Sequence, residues 1–417
     1  MASTFSWLDY SDSERRRMLD VARSLNERNT RDELGLATVR DALSDQLAPG
    51  ISTIQTRARY FLFIPWIYQE IEARLRQRAA GVTKEWVTRK ARNEEVGLIP
   101  HLLQSDDAVG TIGSSAGKSV QRLPSSVYWN GLAEWGIRLC PWAIDTYHHR
   151  LAAHGPTVLK DAHDTWGTGS NWHPGLPDMP EGFPNGVSMT LQPLEAQYLR
   201  ERILETHPDS LLGQLVMTGE SASDLRYPWQ VLDFDVELPP SVVNLVRHAR
   251  NFSLAMHGAV LVYNLLLAET VQMPRQDWVD RYRRLIAEWA EEVEAHSFAF
   301  VDWDRADFWR TVERMRPRVP PQSRSFIDAW LDRFLTTEAP GTLANDPAIH
   351  RLIDKRECQL KKRQARLHDP RLLEKWNGDS GSGVGRMDFR WPAMRGHLVD
   401  ILSSLEGGMG ADHAGAG

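Results

Sequence analysis

Residues 240–270 read as one long helix, and that helix constrains what the rest of the chain can be. Its run from 252 to 268 is almost entirely apolar, and a helix apolar on every face has to be buried in a core or a bilayer. The run carries His257 and Asn264 and falls short of a typical membrane span, so a core helix is expected, with other helices packed around it. Arg250, His257 and Asn264 are spaced by seven and lie on one stripe of it. Buried polar groups need partners. The stripe is therefore either a satisfied internal network that fixes helix register, or a polar pocket between domains.

Elsewhere the pattern is also helical. Ser11 with Glu14, Thr30 with Glu33, and Ser52 with Gln55 have capping-box spacing, in which hydroxyl and carboxylate or amide satisfy each other's backbone N–H. They predict helices over about 12–26, 36–47 and 53–79, with Pro49-Gly50 stopping the second and Pro65 kinking the third. A fourth helix covers about 82–104. A short strand is expected near Val109–Ile112, then a basic loop, then a helix opened by Pro124. That order resembles a winged-helix arrangement. Further helices are expected at about 192–206, 275–297, 304–316, 322–336, 346–366 and 392–405. Residues 224–240 read as irregular or short-strand structure, and Gly378–Gly385 as a flexible loop.

The expected fold class is thus mainly α, multi-helix and two-domain, with a winged-helix-like N-terminal part holding a short β element. At 417 residues the chain exceeds the usual size of one domain. The segment 167–184 is rich in proline and glycine, which makes 155–189 the natural linker or long loop. It separates an N-terminal domain, 1–154, from a C-terminal helical domain, 190–406, and residues 407–417 read as a disordered tail.

Composition narrows the function classes. The net charge of −6 gives no global field for nucleic acid, so any such contact must come from local patches. Two cysteines, Cys140 and Cys358, argue against a disulfide framework and a cysteine-based zinc site. With no secretory leader at residues 1–20, the expected location is a reducing cytoplasm without membrane contact. The 16 tryptophans are read as an aromatic core rather than a platform for bases.

No catalytic constellation emerges. Gly113-Ser-Ser-Ala-Gly117-Lys118-Ser119 ends like a phosphate-binding loop, but the motif needs a glycine where Ile112 stands. Pro124 also delays the helix that should follow at once. His148 and His149 are adjacent and point to different helix faces, so no metal or cofactor is expected from the histidines. Two basic clusters remain as candidate nucleic-acid contacts. The first centres on Arg89, Lys90 and Arg92 with Lys118 and Arg122; the second holds Lys361, Lys362, Arg363 and Arg366. Each could follow a phosphate backbone.

Four segments are distinctive together: Ser52-Thr-Ile-Gln-Thr-Arg-Ala-Arg-Tyr-Phe-Leu-Phe-Ile-Pro-Trp-Ile67, Phe5-Ser-Trp-Leu-Asp9, Pro124-Ser-Ser-Val-Tyr-Trp-Asn-Gly-Leu132 and Phe389-Arg-Trp391. Through them the chain resembles an uncharacterised bacterial family, a domain of unknown function spanning nearly the whole length. The resemblance implies a place beside helicase-like and phospholipase-D-like genes in phage-defence or mobile loci. From it we expect a non-enzymatic accessory or adaptor protein that contacts DNA and partner proteins of the same locus. The alternatives are a scaffold subunit without nucleic-acid contact, and an enzyme with a site near the Arg250, His257 and Asn264 stripe.

Overall fold

The structure, a computed structural model, describes residues 32–77, 81–155, 171–220, 222–234, 236–271, 275–316 and 319–414, with 407–414 as backbone only. In chain order, α1 (Ala37–Leu47) is followed by α2 (Tyr60–Arg76), α3 (Lys84–Leu103), α4 (Pro124–Glu134), α5 (Ile144–His154), α6 (Pro193–Thr206) and α7 (Leu211–Thr218). The long α8 (Pro240–Thr270) comes next, then α9 (Gln276–Ala295), α10 (Phe298–Val301), α11 (Arg305–Met315) and α12 (Pro321–Thr336). α13 (Pro347–Lys361), α14 (Pro370–Leu373) and α15 (Trp391–Ala414) complete the order. The protein is mainly helical. No strand forms among the described residues, and residues 109–112 are turns and irregular backbone rather than the expected strand. A wing is a strand pair, so the winged-helix expectation loses the element that defines it.

Two compact units interleave along the sequence. The first is built on Ala48–Arg226 and Arg390–Gly417, and the second on Tyr227–Phe389 together with α1. The changeovers fall beside residues 47, 226 and 389. Residues 171–189 of the expected 155–189 linker are described and belong to the first unit; 156–170 lie outside the described residues. Trp172 in this segment is fully buried and makes an isolated bridge with Arg138.

In the second unit α8 is the centre. Helices α1, α9, α12 and α13 all pack on it. By length and composition α8 could cross a membrane, yet 83% of its most apolar window is buried inside the protein. Gly258 lies under Trp289 of α9. A Cβ there would stand 2.2 Å from Cζ2 of Trp289, whose indole N–H is committed to the Leu254 carbonyl at 2.8 Å. The ring cannot retreat without losing that bond. Gly258→Ala should therefore destabilise by ~1–3 kcal/mol despite the better helix propensity of alanine. Urea melts check this; a higher midpoint for the variant would mean that the ring has room to move.

In the first unit α2 supplies the core, with Phe61, Leu62, Phe63, Ile64 and Trp66 all buried, and α3 and α4 pack on it. α15 packs on α6 and α7. It runs to Ala414 rather than ending near 405 as the sequence suggests, so 407–414 is helix and not a disordered tail. α2 begins at Tyr60, seven residues later than its capping signal predicts. Gln55 does accept from the Ser52 amide at 3.3 Å, but the next amides are claimed elsewhere. Thr56 and Arg57 donate to the Tyr128 hydroxyl at 2.8 and 3.0 Å, and Ala58 donates to Asp400 at 2.9 Å. The predicted helix 12–26 with its cap Ser11, and Thr30, the cap read for the second helix, lie outside the described residues.

Candidate functional site

The first basic cluster is assembled by two side chains of α3. The Arg92 guanidinium donates to the carbonyls of Lys118 and Val120 at 3.0 and 2.9 Å. One turn on, the buried Glu95 carboxylate accepts from the Ser125 amide and hydroxyl, both at 2.7 Å. Together they hold the loop 113–122 against α3, and the Tyr60 hydroxyl accepts from the Ile112 amide at 2.9 Å on its other side. Gly113 and Gly117 both have positive φ, and Gly117–Ser119 is a single 3-10 turn. No strand precedes the Gly-Lys-Ser sequence, so it lacks the frame of a phosphate-binding loop.

Arg89, Lys118 and Arg122 are exposed, and among the described residues no carboxylate pairs with any of them. Lys90 differs: it pairs with Glu94, which also accepts from Arg74 at 3.0 Å. Arg92 is spent on the loop. The face thus offers three free cations, with Arg92 as the clamp beneath them. Burial pushes the Glu95 carboxyl up to about 7, although both Ser125 bonds and Arg92 favour its charged form.

The second cluster is divided. Lys361 and Arg366 are half-buried in the second unit, both paired with buried Glu33. Lys361 also pairs with the fully buried Glu357 at 3.0 Å. Lys362 and Arg363 remain exposed.

Two members of the polar stripe on α8, His257 and Asn264, belong to an internal network. Asn264 donates to the Ser382 carbonyl at 2.9 Å and accepts from the Ser382 amide at 2.8 Å. His257 meets the Val384 carbonyl through Nε2 at 2.9 Å, and Ser253 donates to the Met387 carbonyl at 2.8 Å. The stripe pins residues 382–387, part of which the sequence alone reads as a flexible loop. Arg250 donates to the Asn251 side chain at 3.2 Å and lies over the Phe298 ring. Burial, aided by Arg247, holds its pKa below the usual arginine value.

Two further polar centres are buried in the first unit. Arg57 donates through Nε to both Asp400 oxygens at 3.0 Å and grips Asp107 with its two terminal nitrogens at 2.7 and 2.6 Å. On α2, Glu72 accepts from the Tyr147 hydroxyl, from Asn171 at 3.0 Å and from the Trp172 indole at 3.2 Å. Tyr68, Trp129, Tyr147 and Trp172 close around it. Burial raises the Glu72 carboxyl above its ordinary value against these bonds. Such a carboxyl is a candidate acid only beside a substrate space. The adjoining cleft, lined by Trp142, Tyr147, Arg150, His154 and Asn171, offers about 10 Å³, room for roughly one water. Its sequence signal is spacing: Glu72 falls on the apolar face shared by Tyr68 and Leu75.

The model of a family of unknown function (DUF6361) matches residues 2–403. No curated protein and no solved structure matches the chain.

Proposed function

From a chain that belongs to this family of unknown function (DUF6361), we propose a helical accessory protein that holds the phosphate backbone of DNA on the α3 and 113–122 face of its first unit. The observation that carries the reading is the Arg92 clamp. By fixing the Lys118 and Val120 carbonyls on α3, it holds the loop of Lys118 and Arg122 beside the helix that carries Arg89, and among the described residues these three exposed cations have no carboxylate partner. Cations held in place lose less freedom on binding than loose ones. A role beside partner proteins of a bacterial defence-type locus rests on the family resemblance and on no contact surface.

The test is fluorescence anisotropy with duplex and single-stranded DNA across a salt series. Each phosphate neutralised adds about 0.9 to the slope of log affinity against log salt for duplex. The triple change R89E/K118E/R122E should weaken binding at least tenfold and remove about three such increments. K362E/R363E, on the second unit, should leave binding unchanged. A wild-type chain that does not bind at low salt sinks the proposal, as does a triple variant that binds like wild type. A chain with no affinity for DNA that still co-purifies with a neighbouring gene product would be the scaffold instead.

A further inference from the structure

We infer that Asp354, Cys358 and His368 form a binding site for a divalent transition-metal ion of the zinc type. The site lies in the second unit and is independent of the DNA reading. Asp354 and Cys358 are one turn apart on α13 and share a face. The chain then reverses at Lys362, which has φ +52°, and a short 3-10 turn over 366–368 brings His368 back against the helix. Its Nε2 comes to 2.5 Å from Oδ1 of Asp354. One carboxylate oxygen, the Sγ of Cys358 and one imidazole nitrogen lie within 4.8 Å of one another. Tetrahedral zinc makes bonds of about 2.0 to 2.3 Å to these donors, which sets their mutual separations at roughly 3 to 4 Å. Small side-chain rotations close the difference.

The turn that carries His368 is built rather than incidental. Glu357 is wholly buried behind it. Its Oε1 accepts from the Arg366 amide and its Oε2 from the Leu367 amide, both at 3.0 Å. Its Oε1 also accepts from the Tyr263 hydroxyl at 2.6 Å and from Lys361. A buried carboxylate with that many donors fixes the backbone immediately before His368, as supporting groups do around metal ligands. Lys361, the cation nearest the helix end, is neutralised by Glu33 and Glu357.

The donor set chooses the ion. Thiolate and imidazole suit zinc, whereas calcium and magnesium take oxygen ligands. As the ion binds, the Cys358 S–H bond breaks and its proton leaves to solvent, the His368 proton moves by way of solvent from Nε2 to Nδ1, and metal–sulfur and metal–nitrogen bonds form. One carboxylate and one thiolate then balance the 2+ charge. Three protein ligands leave the fourth position to water on the exposed side, where His368 and Asp354 are 57% and 44% exposed. In sequence the signal is faint, because Asp354 and Cys358 make only half a motif and His368 joins them through the reversal of the chain at Lys362.

Cobalt(II) is the probe. The full-length chain, stripped with a chelator, is titrated with Co²⁺ while its near-ultraviolet and visible absorption are followed. One equivalent should give a thiolate-to-cobalt charge-transfer band and the strong ligand-field bands of a tetrahedral ion, and zinc should displace both. C358S should abolish the charge-transfer band, and C140S, in the first unit, should keep it. H368A and D354A should weaken binding at least about tenfold. H368A alters an exposed side chain and so tests the site even if another variant fails to fold. A wild-type chain without the charge-transfer band, or a band that survives in C358S, overturns the assignment.

Discussion

Arg57→Ala should cost the first unit roughly 3 to 5 kcal/mol, the scale for breaking a buried ion pair from one side. The arginine and Asp400 are nearly sealed from water, with side chains 6% and 3% exposed. Burial alone would disfavour the guanidinium charge, but Asp400 and Asp107 outweigh it and hold the pKa above the ordinary arginine value. Removing the arginine leaves Asp400 with the Ala58 amide as its remaining hydrogen-bond donor in this arrangement and leaves a buried, uncompensated negative charge. It also releases Asp107 and the Val109 carbonyl, which the same guanidinium holds at 3.0 Å. The chain segments around 57, 107 and 400 thus lose their common tie. Asp400→Ala should cost a comparable amount, because it leaves the arginine half-paired in the same site. The double variant should cost less than the two added together, since the second change removes the charge that the first one stranded. Urea unfolding of the three variants decides it. Strict additivity, or a loss below about 1 kcal/mol for Arg57→Ala, would show that water reaches the site and does the pairing.

The helices that the sequence announces are those whose ends are fixed locally. α8 matches its predicted span because its apolar run extends almost unbroken to its last turns, and α6 is opened by Gln192, Pro193 and Glu195, a local cap. α5 starts at an alanine cap with no side-chain bond, so nothing in the sequence marks it. α7 carries Gly213 in its interior, which disguises a helix that Ser210 caps properly. The start of α2 is hidden for another reason, because Tyr128 and Asp400 compete for its first amides from far along the chain. The candidate sites divide in the same way. Exposed charge is legible, since Arg89, Lys118 and Arg122 stay on the surface. Which charges are spent is not, since Glu33 and Glu357 take Lys361 and Arg366 through folding alone. The spacing of Arg250, His257 and Asn264 does not reveal that His257 and Asn264 serve the 382–387 segment while Arg250 bonds Asn251.

Acid should unfold the second unit before the first. His257 meets the Val384 carbonyl through Nε2, which makes that nitrogen the donor and leaves Nδ1 unprotonated, buried and without a partner. A second proton would place an N–H where nothing accepts it. Burial accordingly lowers the His257 pKa to about 4 from 6.5. The folded state then binds fewer protons than the unfolded chain between those values. The stability this contributes is complete above pH 6.5 and is lost as pH falls towards 4, about 3 kcal/mol in all. His248 in the same unit is also lowered by burial, against the pull of Asp307. Asp307 itself, bonded to His248, and Glu357, despite its burial, are held below their ordinary values. All four have the same sign, so acid takes stability from each. In the first unit His148 and His397 are likewise lowered to about 4 by burial. There, however, Glu95 opposes them. Its carboxyl, raised to about 7 from 4.5, keeps its proton when folded, so its contribution is present at low pH and is lost as pH rises through 7. Glu72, raised by burial, adds to that opposition. Urea melts between pH 4 and 7 should therefore show stability climbing with pH, more steeply for the second unit. His257→Gln keeps a donor for the Val384 carbonyl and cannot titrate, so it should flatten the climb by about one proton. Glu95→Gln should steepen that of the first unit. A His257→Gln profile that runs parallel to wild type would mean that the imidazole already reaches solvent in the folded protein.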